Sequence, residues 1–117
     1  MSAFDVIAAV QEALADALGV PCFAEVPAER PARFASVERT GGPTYLYKDE
    51  PNLAVQLWAG SDAEAYSLAL AARAALLGLW QRAPQVCRTA VGGTYRFPDP
   101  DSRARRYQID VYLVTRL

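Results

Sequence analysis

The residue that most often moves protons or binds metals in proteins is missing here: among 117 residues there is no histidine. Nucleophile pairs built as Ser-His-Asp or Cys-His are therefore excluded, and most hydrolase chemistries fall with them. Two carboxylate pairs, Asp49/Glu50 and Asp99/Asp101, are close enough in sequence to share acid–base work or to hold a divalent cation. Both sit beside prolines, where acids ordinarily act as solvated turn residues. The glycine pairs Gly41-Gly42 and Gly92-Gly93 lack the spacing and the following helix of a phosphate-binding loop, so they read as turns. Cys22 and Cys87 stand far apart with no CxxC spacing, and they read as free, buried thiols rather than as metal ligands or a bridge. No catalytic residue, metal or cofactor is expected.

Composition narrows the class further. Hydrophobic residues make up 52% of the chain and charged residues 21%, with a formal net charge of -1. A chain this long buries roughly two-thirds of its unfolded surface, so residues 1–117 are expected to form one core-competent domain. The balance does not fit a disordered tail or a strongly basic nucleic-acid binder, and no direct nucleic-acid specificity is expected. Asp5, Glu12 and Asp16 interrupt the N-terminal apolar pattern, which does not read as a signal peptide. Nothing in the chain is long and apolar enough to cross a bilayer as a helix, and no membrane partner is expected.

The elements that would position any surface chemistry follow from periodicity and punctuation. Phe4, Ile7, Leu14 and Leu18 recur at helical spacing, with Ser2 placed to cap and Gly19-Val20-Pro21 to stop, which predicts a helix over residues 3–18. Residues 22–26 predict a short strand before the breaks at Pro27 and Pro31. Residues 33–40 alternate, Ala35 and Val37 against Ser36 and Glu38, and predict a second strand ending at Gly41-Gly42-Pro43. Leu53, Val55 and Leu57 predict a third over residues 52–59, paired with the second. Ser61 and Glu64 form a capping box that opens a long alanine-rich helix, whose core face is expected to be Tyr66, Leu70, Arg73/Ala74, Leu77 and Trp80. On that placement, truncating Leu70 or Leu77 to Ala costs about 2–5 kcal/mol. Residues 86–91, a Gly92-Gly93 turn, residues 94–97 and an alternating strand over residues 107–115 complete the pattern. The sum is an α+β fold, a mainly antiparallel sheet with two helices packed on one face, the second helix being the central packing element.

With chemistry set aside, the surface residues suited to contact are arginines and loops. Arg30, Arg33 and Arg39 lie in the first half, and Arg96, Arg103, Arg105 and Arg106 in the second, with acids close in sequence. The planar donor fork of Arg is favoured at protein interfaces, although the same residues also solubilise sheet edges. The segment Phe97-Pro98-Asp99-Pro100-Asp101-Ser102-Arg103 carries two prolines, so it loses less entropy on docking than a flexible loop, or it is an ordinary hairpin connection.

The order Pro31-Ala32-Arg33-Phe34, Arg39-Thr40-Gly41-Gly42, Leu53-Ala54-Val55-Gln56-Leu57-Trp58-Ala59, an Ala-rich helix, then Pro98-Asp99-Pro100-Asp101-Ser102 and Arg106-Tyr107 resembles the tail terminator proteins of phages with long non-contractile tails. The resemblance runs across nearly the whole chain and lies in the order and spacing of the motifs. It implies a non-enzymatic virion subunit that forms a ring with copies of itself, typically a hexamer. That ring would sit on the major tail tube protein at the head-proximal end, stop tube polymerisation and face the head–tail connector protein. By the same resemblance the contact residues would be Arg33, Arg39, Thr40, Gly41, Gly42, Phe97, Pro98, Asp99, Asp101, Arg103, Arg105 and Arg106. A ring of this kind needs two different complementary patches on each subunit, which mixed charges suit.

Two other readings compete with this one. Another neck component, a head–tail joining or tail completion protein, shares the size and α+β character. A small-molecule-binding or enzymatic α+β domain would need Trp58, Tyr66 and Trp80 to line a pocket, but their spacing favours core positions.

Overall fold

The computed structural model describes residues 4–98, 100 and 104–117. Helix α1 is Val6–Leu18; its N-cap is Asp5, whose carboxylate accepts a hydrogen bond from the Ala8 amide, and Gly19 closes it in the left-handed conformation at φ 65°. The expected cap, Ser2, lies outside the described residues. The buried stripe is Val6, Val10, Ala13 and Leu14, so the face is turned from the expected one: Leu14 is central, while Phe4, Ile7 and Leu18 pack at the margin of the core. Apolar residues surround much of this helix, which leaves spacing alone with little power to fix its rotation.

The strands are β1 (Cys22–Phe23), β2 (Phe34–Gly41), β3 (Lys48–Asp49), β4 (Asn52–Ala59), β5 (Val86–Arg96) and β6 (Arg105–Arg116). The sheet runs β1-β2-β4-β6-β3, with β5 also on β6. All pairings are antiparallel except the short parallel β1–β2 contact. Since Thr115 pairs with both Asp49 and Val86, β3 and β4 occupy one side of β6 and β5 the other. β1 is shorter than expected because its chain leaves the sheet after Phe23. β3 was not expected, because two residues are too few for alternation to register.

Gly92-Gly93 does not turn the chain. β5 continues through it as a β-bulge, the register passing from Val91↔Val111 to Thr94↔Ile109. A Cβ on Gly92 would sit 3.1 Å from the Tyr112 ring, so glycine here permits close approach rather than reversal. The reversal into β6 comes later, after Arg96.

Both helices cover one face of this α+β sheet. Ala35 and Val37 of β2, Leu53, Val55 and Leu57 of β4, and Ile109, Val111 and Leu113 of β6 belong to the same core as the two helices. Helix α2 (Asp62–Leu77) starts as expected, with the Ser61 hydroxyl accepting from the Glu64 amide at 3.2 Å, and a 3-10 turn at Leu79–Gln81 follows it. Its core face is not the expected one. Ala65, Leu68, Ala69, Ala72 and Leu76 are buried, whereas Tyr66, Leu70, Leu77 and Trp80 are 41–59% exposed. The expectation that Leu70 and Leu77 are core residues is therefore overturned. A ridge of alanines lets the helix lie close on the sheet and bury two leucines deeply, which favours this rotation over one that would wedge Tyr and Trp beneath it.

The thiols are free, as expected, but only Cys22 is half-buried; Cys87 is exposed. Burial pushes the Cys22 thiol up to about 11.

Candidate interaction surfaces

At one end of β6, Arg39 organises a projecting hairpin. Its guanidinium grips the Asp49 carboxylate through two hydrogen bonds, of 2.6 and 2.9 Å, and donates to the carbonyls of Gly41 and Gly42 at 3.1 and 2.8 Å. Thr44 completes the knot by donating from its hydroxyl to Asp49 at 2.8 Å. The hydrogen bond from Arg39 is the main cause that holds the Asp49 carboxyl below its ordinary value, and the same bond raises Arg39. Backbone bonds from Tyr45 N to Lys48 O and from Leu117 N to Tyr47 O tie down the rest. Gly42 sits at φ 98°, and a Cβ there would run into the Glu50 carbonyl, so only glycine closes this turn. The knot presents Tyr45, Leu46 and Tyr47, which are 50–80% exposed.

The other end of β6 is held by rings. Phe34 and Trp58 are register partners on β2 and β4 and stack at 5.1 Å, and Phe23 meets Phe34 edge-on at 5.9 Å. Arg106, the register partner of Trp58, lies 4.7 Å from the Trp58 ring and 4.3 Å from Phe97, while Arg30 lies 5.0 Å from Trp58. Arg106 also donates to the Phe97 carbonyl at 2.6 Å. Trp58 is thereby buried, as its spacing implied, but on the sheet face that carries no helix. A polar row runs beside this one: Ser36 donates to Gln56, Gln56 to Gln108, and Gln108 to Tyr95 and Asp110. Burial and the neighbouring Asp110 raise the Tyr95 phenol.

A third surface lies on α2. Tyr66, Leu70, Arg73 and Leu77 follow helical spacing along one flank, Asp62 belongs to the same flank, and Trp80 stands exposed in the 3-10 turn that follows. Asp62 sits 3.4 Å from Arg96 of β5 and 4.0 Å from Arg105 of β6, and Tyr66 lies 5.4 Å from the Tyr107 ring. The flank thus overhangs the β5 side of the sheet.

The predicted contact residues consequently divide between the two ends of β6, on the order of 35 Å apart for a strand of this length. Arg39, Gly41 and Gly42 belong to the hairpin knot, and Thr40 joins it to β4 through the Asn52 carbonyl at 3.3 Å. Phe97, Arg105 and Arg106 lie at the far end, with Pro98 exposed beside them. Arg33 is exposed just before β2. Asp99, Asp101 and Arg103 lie outside the described residues. Sequence reasoning missed both apolar surfaces. The signal for the hairpin was three consecutive large apolar residues, Tyr45-Leu46-Tyr47, in a segment opened by Gly-Gly-Pro, where a loop is ordinarily polar.

Of the carboxylate pairs, only Asp49 and Glu50 lie among the described residues. Asp49 is committed to Arg39, and no group of three His, Cys, Asp or Glu is placed to hold a metal. An open pocket of about 350 Å³ on the helix-free face brings Glu50, Arg88 and Tyr112 together beside Pro43. None of Trp58, Tyr66 and Trp80 lines it. No described helix is long and apolar enough to cross a membrane.

No protein-family model and no curated protein sequence matches the chain. Among solved structures it is similar in fold to a chain described as belonging to the virion of a native gene transfer agent (GTA) particle. That likeness has a TM-score of 0.69 at 14% identity and covers 96% of this chain and 95% of the other.

Proposed function

We propose that this chain is a structural subunit of a phage-like virion. As a ring it closes the head-proximal end of the tail tube, stops tube polymerisation and presents a surface to the head connector. The observation that carries the reading is the fold likeness to a virion chain over nearly the full length of both. The motif order that resembles tail terminators supports it independently. The structure adds a fitting division of labour, since each end of β6 displays its own set of surface residues on a rigid support. A ring subunit that meets its neighbours as well as a tube and a connector needs such separated contact regions. In this reading Arg33, Phe97, Pro98 and Arg105 are contact residues, while Arg39 and Gly42 set the shape of the hairpin that makes contact.

Particles assembled without the protein test the proposal. Electron microscopy is expected to show tails of abnormal length that lack heads. Normal-length tails joined to heads would overturn the tail-capping role, and normal-length tails that only fail to join heads would reassign the chain to head–tail joining.

A further inference from the structure

Among the described residues, the hairpin tip Tyr45-Leu46-Tyr47 and the α2 flank of Tyr66, Leu70 and Leu77, with Trp80 of the turn after it, expose large apolar side chains. We infer that they are the two halves of one joint, the tip of one copy seating on the α2 flank of the next. The inference deepens the ring reading, on which it rests only for closure of the ring.

The tip is built to be an anchor. The Arg39–Asp49 knot and the backbone ties to Lys48 and Leu117 fix its shape in the free chain, so docking immobilises little that was mobile. Tyrosines with few torsions and large apolar area dominate interface energetics. Leu46 and Tyr47 are 79% and 80% exposed, so the tip does not fold back on its own helix and is open to a partner.

The flank is a matching acceptor. It overhangs β5, whose outer edge has no strand partner among the described residues. It offers Tyr66, Leu70 and Leu77 over about three helical turns, with Arg73 the charge among them and Trp80 exposed in the turn beyond.

Area argues for a second copy as the occupant. Taking roughly 150–250 Å² for a fully exposed large side chain, each patch offers on the order of 400 Å². The patches are therefore equal in size, and one joint buries about 800 Å² in total, short of the roughly 1,200 Å² at which stable pairs begin. In a closed ring every subunit makes two such joints, one with its tip and one with its flank, so each subunit buries about 800 Å² of its own surface, the share one partner contributes to a standard interface, spread over two contacts that close together. Since the two halves differ, the contact is heterologous and propagates round a ring rather than stopping at a symmetric dimer. The expected behaviour is weak association in dilute solution and cooperative closure at high concentration.

The test uses the full chain with Cys22→Ser and Cys87→Ser, circular dichroism confirming that each variant folds. One variant carries Tyr47→Cys and another Leu77→Cys. Mixed at millimolar concentration under mild oxidation, they are expected to form a tip-to-flank disulfide dimer at least about tenfold faster than either forms a dimer alone. A complementation experiment then separates a heterologous joint from a symmetric one. Leu46→Glu and Leu70→Glu should each abolish self-association in sedimentation, yet their mixture should give a dimer, because one intact tip and one intact flank remain. Tip-to-tip cross-linking, cross-linking no faster than in the unmixed controls, or a Leu70→Glu variant that assembles normally would each overturn the inference. If the joint forms while particles lacking the protein have normal tails, the tail role falls and the joint stands. If tails are abnormal while no joint forms, the joint falls alone.

Discussion

The two ends of β6 are both held by arginine, and they use it in opposite ways. At the hairpin end Arg39 spends its fork on one carboxylate and two carbonyls of its own loop, a directional and partly solvent-accessible knot. At the other end Arg106 sits over the Trp58 and Phe97 rings and helps shield an indole on the sheet face that no helix covers. The same residue type thus gives one polar lock and one aromatic lid. An arginine counted as a surface charge in the sequence can act as internal scaffolding, and the surface it creates is then made of other residues.

The largest expected loss comes from breaking the aromatic end. Trp58→Ala removes the ring that touches Phe34, Arg30 and Arg106, and is expected to cost about 3–5 kcal/mol, read from the denaturant midpoint. A loss under about 1 kcal/mol would mean that the lid is ornamental. At the polar end Asp49→Ala should cost about 2–3 kcal/mol, since it strands the Arg39 fork, with loss of amide-exchange protection concentrated around residues 41–50. This contribution also depends on pH. The folded carboxyl of Asp49 titrates below its unfolded value of about 3.9, so the stabilisation is fully present above that value and is lost as pH falls through the folded one. Wild type and the Asp49→Ala variant should therefore converge in stability under acid and differ by the full amount above about pH 4.

Smaller changes sharpen the contrast. Gly42→Ala is expected to cost about 2 kcal/mol through a strained φ and the collision with Glu50, without disturbing the aromatic end. Arg→Lys should separate the two uses of arginine: about 2 kcal/mol at position 39, where a bidentate grip is lost, and about 1 kcal/mol at position 106, where stacking weakens. Thiol labelling is the mildest probe, because each end carries one cysteine. Cys87 beside the polar end should react readily at neutral pH, and Cys22 beside Phe23 slowly, burial having pushed its thiol up to about 11. Trp58→Ala should speed labelling of Cys22 and leave Cys87 unchanged.

Punctuation was the legible part of this fold. Gly19 ending α1, Ser61 and Glu64 opening α2, the span of β4 and the alternation in β6 all follow from interactions within a few residues of one another. The antiparallel sheet with helices on one face followed from the order of those elements. The candidate surfaces were less legible. Arg39 and Gly42 stood out by type, yet the partner that gives Arg39 its role, Asp49, was read as half of an acidic pair.

What the chain determined by itself was therefore local: where elements begin and end, and that no histidine-based chemistry is available. Only the folded structure decided that α2 lies on its alanines and turns Tyr66, Leu70 and Leu77 outward, and that Gly92-Gly93 bulges rather than turns. Capping and turn preferences act over three or four residues, whereas a helix's rotation and a strand's register are set by the surface that meets them. That surface comes from β4, β5 and β6, whose packing on α2 exists only once distant parts of the chain have met.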